Sequence, residues 1–233
     1  MTIALSHSRL SDFNQCPLKF KLKYIDKNPI FKEESGSNPH LVYGTNVHGK
    51  LEDYVVQRTT GQEVKITSLA AVESTKPFID RFIDNYTTVI PETQIAIDKN
   101  WNRVEWFSRD AYYRVIMDLI AIRPSDVAVI DYKTGKIRDY DGGPSGKGQL
   151  HLSGAVSLAL WPDIPEVNTV YAYVDHKQTI AKKFVQSDKQ ELIEHFDAEH
   201  RKVNEEKHFK PTVNEWCKWC PATRADCPYS RKL

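Results

Sequence analysis

Apolar residues recur at three- and four-residue spacing near the start of the chain. Leu10 and Phe13 lie one turn apart, Cys16 one turn further, and Phe20 and Tyr24 continue the stripe, while Lys19, Lys21 and Lys23 fall on other faces. The spacing predicts a helix with Ser8 as N-cap, then a second turn opened by Pro17. Asn28-Pro29, Gly36-Ser37 and Asn38-Pro39 mark residues 27–40 as loop. A helix is expected from Tyr43 through His48, Leu51 and Val55-Val56, then a break over 61–66, then a helix over 74–87 with Phe78, Phe82 and Ile83 inward. The pattern then alternates. Residues 93–100 put Ile95 and Ile97 on one face, 112–122 are rich in β-branched and aromatic side chains, and 126–131 close on V-A-V-I-D. These read as three strands of a meander. A glycine-rich loop over 139–148, an apolar helix over 149–160, strands near 167–174 and 179–184, and a long helix from Ser187 to about His208 complete the pattern. Strand, crossover helix and returning strand after Asp131 make a β-α-β unit. The expected fold class is therefore α/β, a mixed central β-sheet flanked by helices.

Composition narrows the class. The chain has 233 residues, 27% charged and 40% hydrophobic, the balance of a soluble globular domain. A single domain is expected, with its core at about 90–186 and its ends at about 6–24 and 209–230 packed together. The net charge of +1 excludes a global basic field, so any nucleic-acid affinity must be local. No long uncharged apolar run and no N-terminal h-region are present, so neither a membrane span nor a secretion signal is expected, and a cytoplasmic place is.

Four cysteines are far apart in the chain. Cys16 stands alone, and Cys217, Cys220 and Cys227 close the chain as C-x2-C-x6-C. A four-thiolate site forms only if the two ends of the fold meet, and thiolates select zinc or an iron–sulfur cluster. Two disulfides are the alternative, but a C-x2-C pair makes a poor structural disulfide.

The middle of the chain carries a second constellation. Asp131 ends one strand, Lys133 follows on the same side, and Asp118 lies on the neighbouring strand. Two carboxylates suit Mg²⁺ or Mn²⁺, and a lysine beside them can position water. His48 can add a nitrogen ligand. Alone, a D-x-K at a strand end is more often a surface salt bridge, and a lone histidine more often a satisfied core side chain. The run Gly142-Gly143-Pro144-Ser145-Gly146-Lys147-Gly148 fails as a P-loop, because Asp141 stands where its first glycine belongs and Gly148 where its Ser/Thr belongs. Lys147 can still touch a phosphate from such a loop. Arg9, Lys19, Lys21 and Lys23 read either as a solvated face or as a track for a DNA backbone. Trp216 and Trp219 flank Cys217, where packing round a metal site is expected over base stacking.

Taken in order, S-x-S-R-L-x-x-F-x-x-C-P-x-K-F at 6–20, G-T-x-x-H at 44–48, Met117-Asp118, D-Y-K-T-G at 131–135, Gln149-Leu150 and the terminal C-x2-C-x6-C resemble one family over nearly the whole chain. It is the RecB-like branch of the PD-(D/E)xK nucleases. Within it the chain is similar to the iron–sulfur members, the CRISPR-associated RecB-like exonuclease and the AddB nuclease domain. The resemblance implies a restriction-endonuclease-like core whose ends are joined by a [4Fe–4S] cluster on Cys16, Cys217, Cys220 and Cys227. It also implies catalytic Mn²⁺ or Mg²⁺ on His48, Asp118, Asp131 and the Tyr132 carbonyl, with Lys133 as catalytic lysine and Gln149 opening the following helix. The implied activity is exonucleolytic cleavage of DNA, on single strands or ends. The length leaves no room for helicase motifs, so a freestanding nuclease of a bacterial or virus-infected cell is expected. Its implied partners are recombination, replication or CRISPR-type proteins. Two departures stand out. Ser153 replaces a tyrosine often found four residues after the glutamine, which puts that helix's DNA-orienting role in question. The acidic member of D/E-x-K is the shorter aspartate. The competing readings are a non-catalytic DNA-binding or assembly factor on the same scaffold, and a structural zinc protein.

Overall fold

The structure, a computed structural model, describes residues 3–32, 38–64, 67–137 and 146–232. The glycine-rich stretch up to residue 145, and parts of the loops expected at 27–40 and 61–66, lie outside the described residues.

Six strands form one sheet: β1 (Thr88–Ile97), β2 (Arg103–Val104), β3 (Tyr113–Arg123), β4 (Asp126–Lys133), β5 (Glu166–Tyr173) and β6 (Gln178–Val185), in spatial order β2-β1-β3-β4-β5-β6. Neighbours are antiparallel except β4 and β5, which run parallel. Helix α5 (Gln149–Leu160) makes that crossover, as a parallel pair requires. The sheet is mixed and flanked by helices, as expected from the pattern. The meander is modified by the two-residue β2 on its edge.

Helices cover both faces. α1 (His7–Gln15), α5 and α6 (Lys189–Glu205) bury Leu10, Phe13, Leu152, Val156, Leu192 and Phe196 with Val127, Val129 and Ile120 of the sheet. α3 (Pro39–Thr60) and α4 (Ala70–Asn85) bury Val47, Leu51, Val72 and Ile79 with Leu119, Ala128, Ile130 and Val170 on the other. α5 sits among apolar surfaces all round, with eight of its twelve residues buried. That explains its apolar sequence without a polar face.

Several boundaries differ from expectation. α1 is capped by Ser6, whose Oγ accepts from Arg9 N, two residues before Ser8. Cys16 is extended, at φ −163°, and separates α1 from α2 (Pro17–Phe20), which passes into a π-helical turn at Lys21–Ile25. α3 begins at Pro39 rather than Tyr43, because Asn38 Oδ1 accepts from His40 N and Pro39 suits a first helical position. α4 begins at Ala70 and buries Val72, Thr75 and Ile79, leaving Phe78, Phe82 and Ile83 half-buried. A 3-10 turn at Gln186–Asp188 precedes α6, where Asp188, not Ser187, accepts a backbone N–H, and the helix ends at Glu205.

The tail then returns to the start of the chain. Phe209 packs at 6.4 Å on both Phe13 and Phe20. Asn214 Nδ2 donates to Gln15 O at 2.8 Å, and Asn28 Nδ2 to Asp226 Oδ1 at 2.8 Å.

Candidate active site

The site lies where β3 and β4 part. Their ladder ends at Leu119↔Ile130, although β4 continues to Lys133. Past that point the backbone of β4 finds another partner: Tyr132 N donates to Asp118 Oδ2 at 2.7 Å. The β1–β3 ladder also skips the Glu92–Asp118 pair. Tyr113, Val115 and Met117 bury into one core cluster, Leu119 and Ala121 into the other, so β3 changes face at Asp118. Asp118 belongs to neither core cluster, and its carboxylate turns to the gap between β3 and β4.

His48 comes from α3. Its Nδ1 is 3.3 Å from Asp118 Oδ2, and its ring meets Tyr132 edge-on at 5.8 Å. Val47 and Leu51 on the same helix are fully buried and hold it against the sheet. Gly44, one turn earlier, approaches Thr134 so closely that a Cβ would stand 3.2 Å from its hydroxyl. Burial alone would lower the His48 pKa. Its hydrogen bond to Asp118, the Asp118 charge and the Asp131 charge reverse this and raise it.

Asp131 and Lys133 share a side of β4, and Lys133 Nζ is 2.6 Å from Asp131 Oδ1. Gln149, the first residue of α5, bridges them: its Oε1 accepts from Lys133 Nζ at 3.0 Å, and its Nε2 donates to Asp131 Oδ2. Asp131 is largely buried, and desolvation pushes its carboxyl up. Lys133 opposes the shift and Asp118 adds to it. Two carboxylates and one imidazole thus stand together as oxygen and nitrogen donors of the kind that suit a divalent cation, with Lys133 against one of them.

The five side chains His48, Asp118, Asp131, Lys133 and Gln149 therefore converge, with the Tyr132 backbone between them. Sequence reasoning missed two neighbours. Tyr171, opposite Asp131 in the parallel register, lies with its ring 4.8 Å from Lys133 Nζ, and no local pattern signals this. Glu52 has its pKa raised by burial, then by Glu92, Asp53 and Asp118, and its four-residue offset from His48 on α3 was a legible sign. Ser153 is buried in α5.

The four cysteines converge elsewhere. All are free thiols and line one cavity of about 380 Å³ between the chain ends. Thr212 N donates to Cys16 Sγ and Asn214 N to Cys217 Sγ, each at 3.4 Å. Burial raises the Cys220 thiol pKa, with Lys19 acting against it. Lys19, Lys23 and Lys32 line the cavity, and no Asp or Glu does among the described residues. Among the described residues, however, no group of three or more His, Cys, Asp or Glu stands as it is close enough to hold a metal ion. At β4, lysine, glutamine, histidine and a backbone N–H face the carboxylate oxygens.

The cationic side chains considered for DNA are engaged locally. Lys19 pairs with Asp12 at 2.6 Å, Lys21 with Asp26 at 2.6 Å, and Lys147 with Glu191 at 2.8 Å. Arg9 donates to Ala4 O and lies 5.1 Å over the Tyr24 ring. No described helix is long and apolar enough to cross a membrane.

A search of curated protein sequences finds no match. Among solved structures, the crystal structure of SSO0001 is similar, at 14% identity and a TM-score of 0.48 over 94% of this chain and 83% of that chain, too loose a likeness to compare sites. The family model of the PD-(D/E)XK nuclease superfamily matches residues 4–228, nearly the whole length, and the chain belongs to that superfamily.

Proposed function

We propose that this protein is a RecB-like, divalent-metal-dependent deoxyribonuclease that hydrolyses DNA phosphodiesters, working as an exonuclease on single strands or ends. What supports the reading above all is the convergence of His48, Asp118, Asp131, Lys133 and Gln149 at the parting of β3 and β4. The donor set is one imidazole and two carboxylates, and it fits Mn²⁺ or Mg²⁺. His48, Asp118, Asp131 and the Tyr132 carbonyl would hold the ion. When bound, it supplies Lewis-acid activation of water and offsets charge on the phosphodiester. Lys133 has no lone pair when protonated, so it serves water and phosphate, not the metal. Gln149 fixes its direction through the bridge to Asp131.

The same reading gives the four cysteines a [4Fe–4S] cluster that ties the chain ends. The fit rests on free thiols lining one cavity, N–H donors aimed at two sulfurs, and Lys32 beside what would be an anionic group, Lys19 and Lys23 being paired with Asp12. When bound, the cluster supplies a covalent tie across about two hundred residues of chain.

The test is anaerobic purification with iron, sulfide and zinc analysis, then digestion with Mn²⁺ of single-stranded DNA, linear and end-labelled or circular. Release of label from linear DNA with the circle intact is expected. Cutting of the circle would make the enzyme an endonuclease. No cleavage with any divalent metal would leave the scaffold as a DNA-binding factor, and zinc without iron would remove the cluster.

A further inference from the structure

The cap formed by the chain ends carries a surface that the catalytic site does not use. Trp216 and Trp219 are 47% and 60% exposed, with ring centroids 5.4 Å apart and planes tilted by 42°. Tyr229 and Val213 are exposed beside them at 57% and 62%. Of the eleven large apolar side chains exposed among the described residues, Ile30, Val213, Trp216, Trp219 and Tyr229 all line the one cavity at the cysteines. The expectation that both tryptophans pack inward round a metal site does not account for rings left open to solvent. Burying them against something would remove the largest apolar exposure on this face.

The charge on the cap says what kind of partner fits. Lys218 Nζ sits 3.8 Å over the Trp219 ring. Residues 209–233 hold five basic side chains (Lys210, Lys218, Arg224, Arg231, Lys232) and only two acidic ones, Glu215 and Asp226. Asp226 is committed to Thr223 and Asn28. Lys32 lines the cavity, and neither it nor Lys218 has a carboxylate partner among the described residues. Half-open aromatic faces beside a cation, in a setting depleted of acids, match the two parts of a nucleotide: a base that stacks and a phosphate that pairs. Double-stranded DNA keeps its bases stacked on one another, so only an unpaired strand offers them.

We infer that Trp216 and Trp219, with Lys218, form a stacking site for single-stranded DNA on the cysteine-bearing cap. The inference rests on the nuclease reading for its ligand class and adds a second contact, away from β4, that selects unpaired strands. The stacking is tolerant of sequence, because every base has a π-face.

The test is fluorescence anisotropy of a labelled oligothymidylate of roughly 20 nucleotides, enough to span a single-strand site of ordinary size. It is run in EDTA to prevent cleavage, across a salt series and beside a hairpin duplex of the same length. Iron content and thermal melting are recorded for each variant. The doubly substituted Trp216→Leu, Trp219→Leu should bind the single strand about ten- to a hundredfold more weakly, with an unchanged salt slope, since it releases no counterion. The Trp216→Phe, Trp219→Phe pair should restore most of the affinity. Lys218→Gln, which spares both rings, should reduce the salt slope by about 0.7. Duplex binding should change little. Wild-type affinity in the Leu pair, with iron content intact, overturns the inference while leaving the nuclease reading in place. So does concentration-dependent self-association that the Leu pair abolishes, which assigns the face to a second copy. If the Leu pair fails to fold, the Phe pair and Lys218→Gln decide: an unchanged salt slope in Lys218→Gln overturns it. A wild-type protein that neither binds nor cleaves DNA sinks both readings together.

Discussion

Asp131 is largely buried between Lys133 and Gln149, and the loss of solvation, with Asp118 adding to it, raises its carboxyl pKa. Lys133 provides the nearest compensation. If Lys133 serves water and phosphate, Lys133→Ala should keep Mn²⁺ affinity within a fewfold and lower single-turnover cleavage by about 10²–10³-fold. Calorimetric titration beside rapid-quench cleavage measures both, and abolished metal binding would contradict the assignment. His200 gives a separate prediction. It is fully buried, stacks at 3.6 Å on Tyr112 and shares a hydrogen bond with Asn204, and burial lowers its pKa to about 4. The unfolded chain therefore binds a proton that the folded chain refuses. The associated stability is complete above about pH 6.5 and is lost as pH falls toward about 4. Unfolding in urea should show about 2 kcal/mol less stability at about pH 5 than at about pH 7, and His200→Gln should flatten that slope. At this scale the sequence was informative where chemistry is local. The D-x-K pair lies on one strand face and its alternation is legible. Asp118 was placed by order along the chain, but its change of face was not, because it depends on a break in the pairing of β3 with both neighbours. Tyr171 was hidden because only the parallel register brings it to Lys133.

Helix α5 carries Gln149 to the site, and its position depends on a close approach to β6. A Cβ on Gly154 would stand 2.6 Å from the Phe184 ring, which is itself 7% exposed and has little room to yield. Gly154→Ala should therefore cost about 1–3 kcal/mol of stability in denaturant unfolding, despite the better helix propensity of alanine. A neutral or stabilising result would mean that the helix and β6 are less tightly packed than described. The bounds of α5 were readable because Gly148 and Trp161 bracket an apolar run. The start of β1 was not. Pro91 argues against a strand by sequence, yet β1 runs from Thr88 because its partner residues on β3 extend to Ile122. α4 likewise tolerates Pro77 in its interior, where the buried Val72, Thr75 and Ile79 define its face more strongly than the proline breaks it.

Across the whole molecule, the chain ends meet. Cys16 and the terminal trio are about two hundred residues apart in sequence, and line one cavity. That convergence was inferable only because a lone thiol is useless to a four-ligand site. The contacts that achieve it, Phe209 on Phe13 and Phe20 and Asn214 on Gln15, carry no signal in sequence. If a cluster ties these ends, Cys16→Ser should lose iron and lower the melting temperature by several degrees, about 2–4 °C for each kcal/mol lost. Wild-type iron and melting in that variant would leave the thiols without a shared ligand. The central claim is metal-dependent cleavage at the parting of β3 and β4. The most direct measurement is single-turnover digestion of end-labelled single-stranded DNA with Mn²⁺, by the wild-type protein and by Asp131→Ala. The expected result is cleavage by the wild type, none without metal, and a loss of at least about 10³-fold in Asp131→Ala. Cleavage by Asp131→Ala at the wild-type rate would contradict it.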